Sequence, residues 1–565
     1  MKSFYVRNSA WFDVFFLAVI FWASRYFFSS RFGLYEDDLT RIPSAFSMNL
    51  SEIWNHWCFL MTRYFANRPL HEGFIYTLSW LGWQINGLQG AYWIGYSITV
   101  VNIGLFYFLL RRLHSRYLGL LGGLAYALFS ADTTQAYLTM SLGGQLSNTL
   151  LLAAFHVYLF GPKWISYVLV YPIILFAYET PFLVFMAAPV LDVTRNRKSI
   201  WRDLFIHTCI LFVMLLSSFV MRYAQGGGIS FEMSYRETVE IALKHIIQGP
   251  LVAMGTYLLR PYQALKMLNP DVGIVSSASF LVLVAYLWIV KSPDSLDPRQ
   301  ILDAVRLRRI SVLNVQMRNL LQLSLAGLIM LLLAYPMTFT TRLTAISGRT
   351  TRGHLAGVSG ASMLLAVFSY VIVALFAHYR REKVAIALLS GWFALLVGFG
   401  IVVQLDYVRA WQNQKDFWTE LLPLIPDADS GTAILVQPEG LEDVLQIGAN
   451  TWNLSRVLDQ LYNFPLETSL VPRVYRLLPD WKNKIALDDT HFQINGETVT
   501  APPDNYNLIQ SDKVILISTT GGSMKRVDGP FEINGTLYPL KPQTGPVMSN
   551  LPRGVLYSLL VHSLP

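Results

Sequence analysis

The chain has 565 residues, 53% of them hydrophobic and 14% aromatic, with only 14% charged and a formal net charge of +8. A soluble domain usually carries about a quarter charged residues; this deficit, spread over repeated apolar runs, excludes an ordinary soluble enzyme and indicates a polytopic membrane protein. The Lys and Arg residues sit in short loops between apolar runs, which is a topology signal and argues against nucleic acid as partner.

Phe12 to Ser29 is the first apolar run. It is longer than a signal-peptide core and lacks a small-residue cleavage site, so it reads as a retained span, with Arg25 near enough to its end to snorkel. Tyr35-Glu36-Asp37-Asp38 follows at once. A carboxylate is costly in hydrocarbon, so a cluster at the boundary must face water or a polar cavity. In the rest of this loop, Ile53 to Trp57 and Arg63-Tyr64-Phe65 read as interfacial amphipathic pieces.

Further spans are expected at Ala91–Leu110, Tyr117–Ala131, Leu146–Phe160, Trp164–Tyr178, Phe182–Val193, Leu204–Met221, Gly273–Val290, Leu320–Tyr335, Leu355–Ala377 and Ala385–Val403, which with the first makes about 11. Arg111-Arg112, Lys163, Arg195 with Arg197-Lys198, Arg306 with Arg308-Arg309, and Arg380-Arg381 fall in alternate loops. By the positive-inside rule those loops are cytoplasmic, and the loop 30–90 and everything after Val403 lie outside. Leu251–Leu268, with Arg260-Pro261, reads as interfacial or re-entrant, and Arg299 to Arg309 as a surface helix. Beyond Asp406 to Glu420, a helix leading out of the membrane, residues 423–431 read as a linker. The soluble part is a small mixed α/β domain, with strands at Ala433–Val436 and Lys513–Ile517, helical spacing over Leu441 to Leu461, and hairpin turns at Asn495-Gly496 and Asn534-Gly535. The expected division is 1–425 for the membrane domain and 426–565 for the outer one.

Chemistry concentrates in the segments placed outside. A boundary carboxylate can serve as a base for a hydroxyl or amine proton, and outer-side cations can hold a phosphate. Asp37 or Asp38 can be that base, with Asp38 preferred as the one farther from the apolar run, or the pair can bind a divalent cation such as Mg or Mn through oxygen. The loop Met337 to His354 carries Arg342, Arg349, Arg352 and His354 on the side that the positive-inside rule disfavours. Bidentate arginine contacts to a lipid-linked phosphate would explain them, as would contact with anionic headgroups. Glu36, Glu179, Arg68 and His71 complete the substrate-binding candidates, each weighed against a solvated-turn or loop-packing role; His207, inside an apolar run, is expected to be a satisfied core residue.

Four stretches carry a family resemblance: Glu36-Asp37-Asp38, Phe65-Ala66-Asn67-Arg68-Pro69-Leu70, Tyr178-Glu179-Thr180, and Arg349 to Gly360. Together with the topology they resemble the GT-C superfamily of polyprenyl-phosphate-sugar-dependent glycosyltransferases over about residues 1–420. The third stretch has Tyr where that family's turn has Lys, and the fourth lacks its aromatic pair. The resemblance implies an inverting hexosyl or pentosyl transferase of the bacterial inner membrane with its site on the outer face. It implies a polyprenyl-phosphate sugar donor, an acceptor that is a protein, a lipid or a glycan, and contact with membrane lipids. The rival readings are a transporter or flippase of lipid-linked sugars, which would show internal pseudo-symmetry, and an assembly protein working through its outer domain.

Overall fold

The structure is a computed structural model that describes residues 2–63, 68–134, 137–192, 197–224, 235–290, 296, 315–338, 346, 348–429, 431–436, 454–462, 472–477, 486–487, 491–493, 508–520, 523–533 and 536–561. Its contacts form two compact units, 1–30 with 50–405 and 31–49 with 406–565.

The first unit is helical. Its elements are α1 (Lys2–Arg25), then, after α2 (Asp38–Ser47) of the other unit, α3 (Leu50–Arg63), α4 (Pro69–Leu113), α5 (Arg116–Ala127), α6 (Gln145–Phe160), α7 (Lys163–Phe176), α8 (Ala188–Leu191), α9 (Arg197–Ala224), α10 (Tyr235–Lys266), α11 (Pro270–Ile289), α12 (Val315–Leu333), α13 (Val358–His378) and most of α14 (Glu382–Leu421). Among the described residues seven helical segments are long and apolar enough to cross a membrane: Ser9–Arg31, Pro69–Leu113, Ile200–Ala224, Pro270–Ile289, Val315–Leu333, Arg349–His378 and Glu382–Leu424. Their outward faces stay apolar, with Trp201, Phe205, Phe212, Ile274 and Leu281 exposed. Lipid is the solvent such surfaces require, so this is an integral, multi-pass membrane protein.

Local chemistry sets the helix ends. Ser115 caps α5 by accepting from the Leu118 N–H at 3.2 Å, and Asn269 caps α11 by accepting from Val272 at 2.9 Å, with Pro270 at the first helical position. Helix α4 breaks into two arms at Asn86 and Gly87, the latter at φ 56°. Small residues draw α12 and α13 together: a methyl on Gly360 would collide with the Leu331 backbone and the Gly327 carbonyl. At one end of α1, α4 and α5, the buried Asp13 carboxylate accepts from Arg116 at 2.7 and 2.8 Å and from Tyr286 at 2.7 Å, with Tyr107 also donating to it.

Several expected spans differ in form. Tyr117–Ala131 is helical only over α5. Over its described residues the expected span Phe182–Val193 is a 3-10 turn, Phe182–Ala187, followed by the four-residue α8; in a single helix Pro189 would lack the needed N–H and its ring would clash with the Phe185 carbonyl. The 251–268 stretch, expected to be interfacial or re-entrant, belongs to a continuous helix: α10 runs on through Pro250 and Pro261 to Lys266. Arg260, fully buried, donates to the carbonyls of Ser130 and Ile346 and lies 4.4 Å over the Phe399 ring. Arg25 does not snorkel; it is 4% exposed and donates to the Phe129 carbonyl. His207 is satisfied, bonded to Tyr167 and to the Phe185 carbonyl. Residues 299–309 and the Asn495-Gly496 and Asn534-Gly535 pairs lie outside the described residues.

The second unit joins α2 and the end of α14 to a four-stranded sheet. It contains β1 (Ala433–Val436), α15 (Leu454–Leu461), β2 (Arg473–Arg476), β3 (Ala486–Leu487), β4 (His491–Gln493), β5 (Leu508–Gln510), β6 (Val514–Thr520), β7 (Ser523–Arg526), β8 (Phe531–Ile533), β9 (Thr536–Tyr538) and α16 (Val555–Leu560). The sheet order is β2-β1-β6-β7, with β1 parallel to both β2 and β6 and β7 antiparallel to β6. Its central strands are buried, as their unbroken apolar runs require. The stretch expected to be a linker is pinned: Arg526 pairs with Asp427 at 2.5 Å, and Lys541 with Asp429 at 2.6 Å.

Candidate functional site

In the second unit the acidic segment is a helix start. Glu36 takes a left-handed φ of 47°, Asp37 is the N-cap residue, and Asp38 opens α2. The Asp37 carbonyl accepts from the Thr40 and Arg41 N–H groups and from the Thr40 hydroxyl, the last at 3.0 Å. Carboxylates suit this position, where the helix presents its positive end. The two acids differ in access: Asp38 is fully buried and Asp37 half-buried. Burial, and after it the nearby Asp38 charge, pushes the Tyr35 phenol well above its ordinary range despite its hydrogen bond with Gly33. Mg is commonly held by one or two carboxylates together with waters and substrate phosphates. Among the described residues no three His, Cys, Asp or Glu side chains group together.

In the first unit four loop segments meet at one end of the helices. Arg68 precedes α4 in a left-handed conformation, φ 61°, with Pro69 fixing the first turn. Such a φ in a non-glycine residue persists where its surroundings over-determine it. Its guanidinium grips Glu179 with two bonds, Nε to Oε2 at 2.8 Å and Nη2 to Oε1 at 2.5 Å, and stacks 4.8 Å from the Tyr178 ring centroid. Burial alone would lower the Arg68 pKa; the charge and hydrogen bonds of Glu179 more than reverse it. The turn that carries Tyr178 is held by Ser147, whose hydroxyl accepts the Tyr178 N–H at 3.0 Å. His71 is buried, its ring 5.8 Å from that of Tyr178. Gly143 makes room for it, since an added methyl there would stand 2.6 Å from the His71 Nδ1.

The loop after α5 and the 3-10 turn Arg349–Gly357 complete the cluster. Thr133 bonds to the Thr351 hydroxyl through its N–H at 3.1 Å and its own hydroxyl at 3.0 Å. Arg352 is half-buried, and its charge reaches both Tyr178 and Asp132. His354 is buried, with Nδ1 3.0 Å from the Tyr335 hydroxyl. Arg349 is half-buried in the same turn. Arg342 lies outside the described residues. Burial pushes Tyr178 up against the opposing pull of Arg352 and Arg68.

Three participants are absent from the site candidates drawn from the sequence: Asp132, Arg25 and Arg222. Asp132 is fully buried; its Oδ1 accepts from the Thr134 N–H at 2.8 Å and hydroxyl at 2.7 Å, while Oδ2 has no hydrogen-bond partner among the described residues. Burial raises its pKa, outweighing the Thr134 bonds and the charges of Arg25 and Arg352. Arg222 donates to the Ile174 carbonyl at 2.9 Å and feels the charges of Glu179 and Arg68. The signal for Asp132 was available: like Asp37, it stands just after an apolar run, where an acid needs a reason.

The structure thus brings Arg68, His71, Glu179, Arg352 and His354 into one neighbourhood of the first unit, whereas Glu36, Asp37 and Asp38 belong to the second. The first unit's cluster offers guanidinium donors for an anion, with the Glu179 carboxylate fixing Arg68.

No protein-family model matches the chain, and no curated protein sequence matches it. Among solved structures the chain is similar to ArnT from Cupriavidus metallidurans, in a crystal structure bound to undecaprenyl phosphate. The identity is 15% and the TM-score 0.32, covering 78% of this chain and 83% of that one.

Proposed function

We propose that the chain is an integral-membrane glycosyltransferase of the GT-C type. It moves a hexosyl or pentosyl group from a polyprenyl-phosphate carrier to a protein, lipid or glycan acceptor on the extracytoplasmic face. The observation that carries the reading is the set Arg68, Glu179, Arg352 and Asp132 gathered round Tyr178. Ionisable groups are costly next to lipid-facing helices, and a membrane protein keeps them where it handles a charged ligand.

The chemistry follows from the residue types. An acceptor O–H or N–H gives its proton to the carboxylate of Asp37 or Asp38, accessibility favouring Asp37. The freed electron pair attacks the anomeric carbon from the face opposite the carrier, the bond from that carbon to the phosphate oxygen breaks, and its electrons leave on the phosphate. Attack from behind inverts the anomeric carbon. Arg349 and Arg352, with His354 in support, hold the phosphate; Glu179 fixes the Arg68 guanidinium through two bonds.

Native mass spectrometry of the purified protein in nanodiscs tests the phosphate role, with undecaprenyl phosphate as probe. Arg352→Ala, alone and with Arg349→Ala, should weaken retention of the probe by about tenfold or more, as loss of a charge-assisted bond implies. Retention equal to the parent with both arginines removed would reduce them to headgroup contacts and sink the donor assignment.

A further inference from the structure

We propose that the C-terminal soluble part of the chain is a positioning device for the acidic segment rather than a separate binding module. This rests on reading Asp37 or Asp38 as the base. Residues 31–49 precede almost the whole helical unit in sequence, yet their contacts place them with 406–565.

The backbone is held on both sides of Glu36. Upstream, the Tyr35 hydroxyl donates to the Tyr407 carbonyl at 2.9 Å and accepts the Gly33 N–H at 3.0 Å. The Tyr35 ring stands edge-on to that of Tyr407, with centroids 4.7 Å apart. Gln414 donates to the Leu34 carbonyl at 3.3 Å. Gly33 lies so close under the Trp411 indole that a methyl there would overlap it. Downstream, α2 turns Leu39, Ile42 and Phe46 inward at helical spacing. It packs on α15 and α16, whose Leu454, Val457, Leu458, Leu461, Leu556 and Leu560 are buried. The Ser44 hydroxyl donates to Gln460 Oε1 at 3.1 Å.

Between these anchors stands Glu36 at φ 47°. A left-handed conformation in a non-glycine residue costs free energy and survives where neighbours on both sides leave no alternative. Here it redirects the chain one residue before Asp37, so the direction of the acids follows from how firmly the second unit grips Tyr35 and α2. A helix that merely filled the domain core would need the apolar face of α2 but neither the Tyr35 bonds nor the strained residue beside the acids.

Hydrogen exchange of full-length protein in nanodiscs, read on peptides covering 36–41, tests the proposal together with product glycan measured by mass spectrometry in cells. Tyr35→Phe keeps the ring and removes two hydrogen bonds; Gln460→Ala loosens α2 from the far side; exposed Asp528→Asn serves as control. Both test variants should exchange about two- to tenfold faster at 36–41, the factor that loss of single hydrogen bonds implies. They should also yield less product, with global unfolding temperature at the control value. Parent-level exchange, or faster exchange with parent-level product, overturns the positioning role. Parent-level product from an Asp37→Asn, Asp38→Asn double variant instead removes the base assignment on which the proposal rests.

Discussion

Replacing Glu179 by Gln removes the carboxylate that Arg68 grips with two bonds at 2.5 and 2.8 Å. The side chains are 39% exposed for Arg68 and 11% for Glu179. Breaking a fully buried pair costs about 3–5 kcal/mol, because a charge is left stranded. An exposed pair contributes about 0–1 kcal/mol. This pair lies between those limits, so the coupling should be about 1–3 kcal/mol. A double-mutant cycle with Glu179→Gln, Arg68→Gln and the double variant isolates that coupling, measured by reversible denaturant unfolding in mixed micelles. The Tyr178 contact complicates the single Arg68 variant, and the cycle subtracts it. A coupling energy within about 0.5 kcal/mol of zero would mean the two residues act independently. The neighbourhood built on that pair would then lose its core.

Asp132→Asn should leave stability at pH 7 equal or higher while lowering product formation. An acid whose folded pKa is raised costs stability once pH rises past its unfolded value of about 3.9. The difference from the parent should therefore vanish below that pH, and a variant that is less stable at pH 7 would contradict the burial argument. Arg526→Ala should cost the second unit about 3–5 kcal/mol, since its partner Asp427 is fully buried. Burial works to raise the Asp427 pKa, but the Arg526 bond and charge hold it below the ordinary range. Its contribution is thus present above about pH 3.9 and lost as pH falls through the folded value. Thermal unfolding of the full chain across pH should show that acid step in the parent and not in Arg526→Ala.

Much of the helical scaffold was legible because lipid demands long apolar segments whatever they pack against. Strands β1 and β6 were legible for a different reason: buried central strands read as unbroken apolar runs. What the sequence hid is where context overrides composition. Arg260-Pro261 looks like an interruption, yet Arg260 finds carbonyls inside the protein and the helix continues. Phe182–Val193 is apolar enough to span but is interrupted by Pro189. Arg25 reads as a snorkelling residue until the Phe129 carbonyl is seen to receive it. Of the candidate site, Arg68 and Glu179 were named separately as a loop cation and a turn acid, 111 residues apart; no local pattern reveals that they pair. Nor does any local pattern reveal that the acidic segment is gripped by the C-terminal unit, because α2 is short and its partners lie beyond residue 405.

The central claim is that the acids of residues 37 and 38 carry the proton transfer. Mass spectrometry of lipid-linked sugars and surface glycans tests it most directly, in cells that carry the parent, no protein, Asp37→Asn or Asp38→Asn. Loss of a general base costs on the order of 10²–10⁴ in rate, whereas loss of a solvated boundary acid costs little. At least one Asn variant, at parent protein levels, should match the cells lacking the protein: glycan product gone and polyprenyl-phosphate sugar accumulated. Parent-level glycan from both Asn variants would contradict the account.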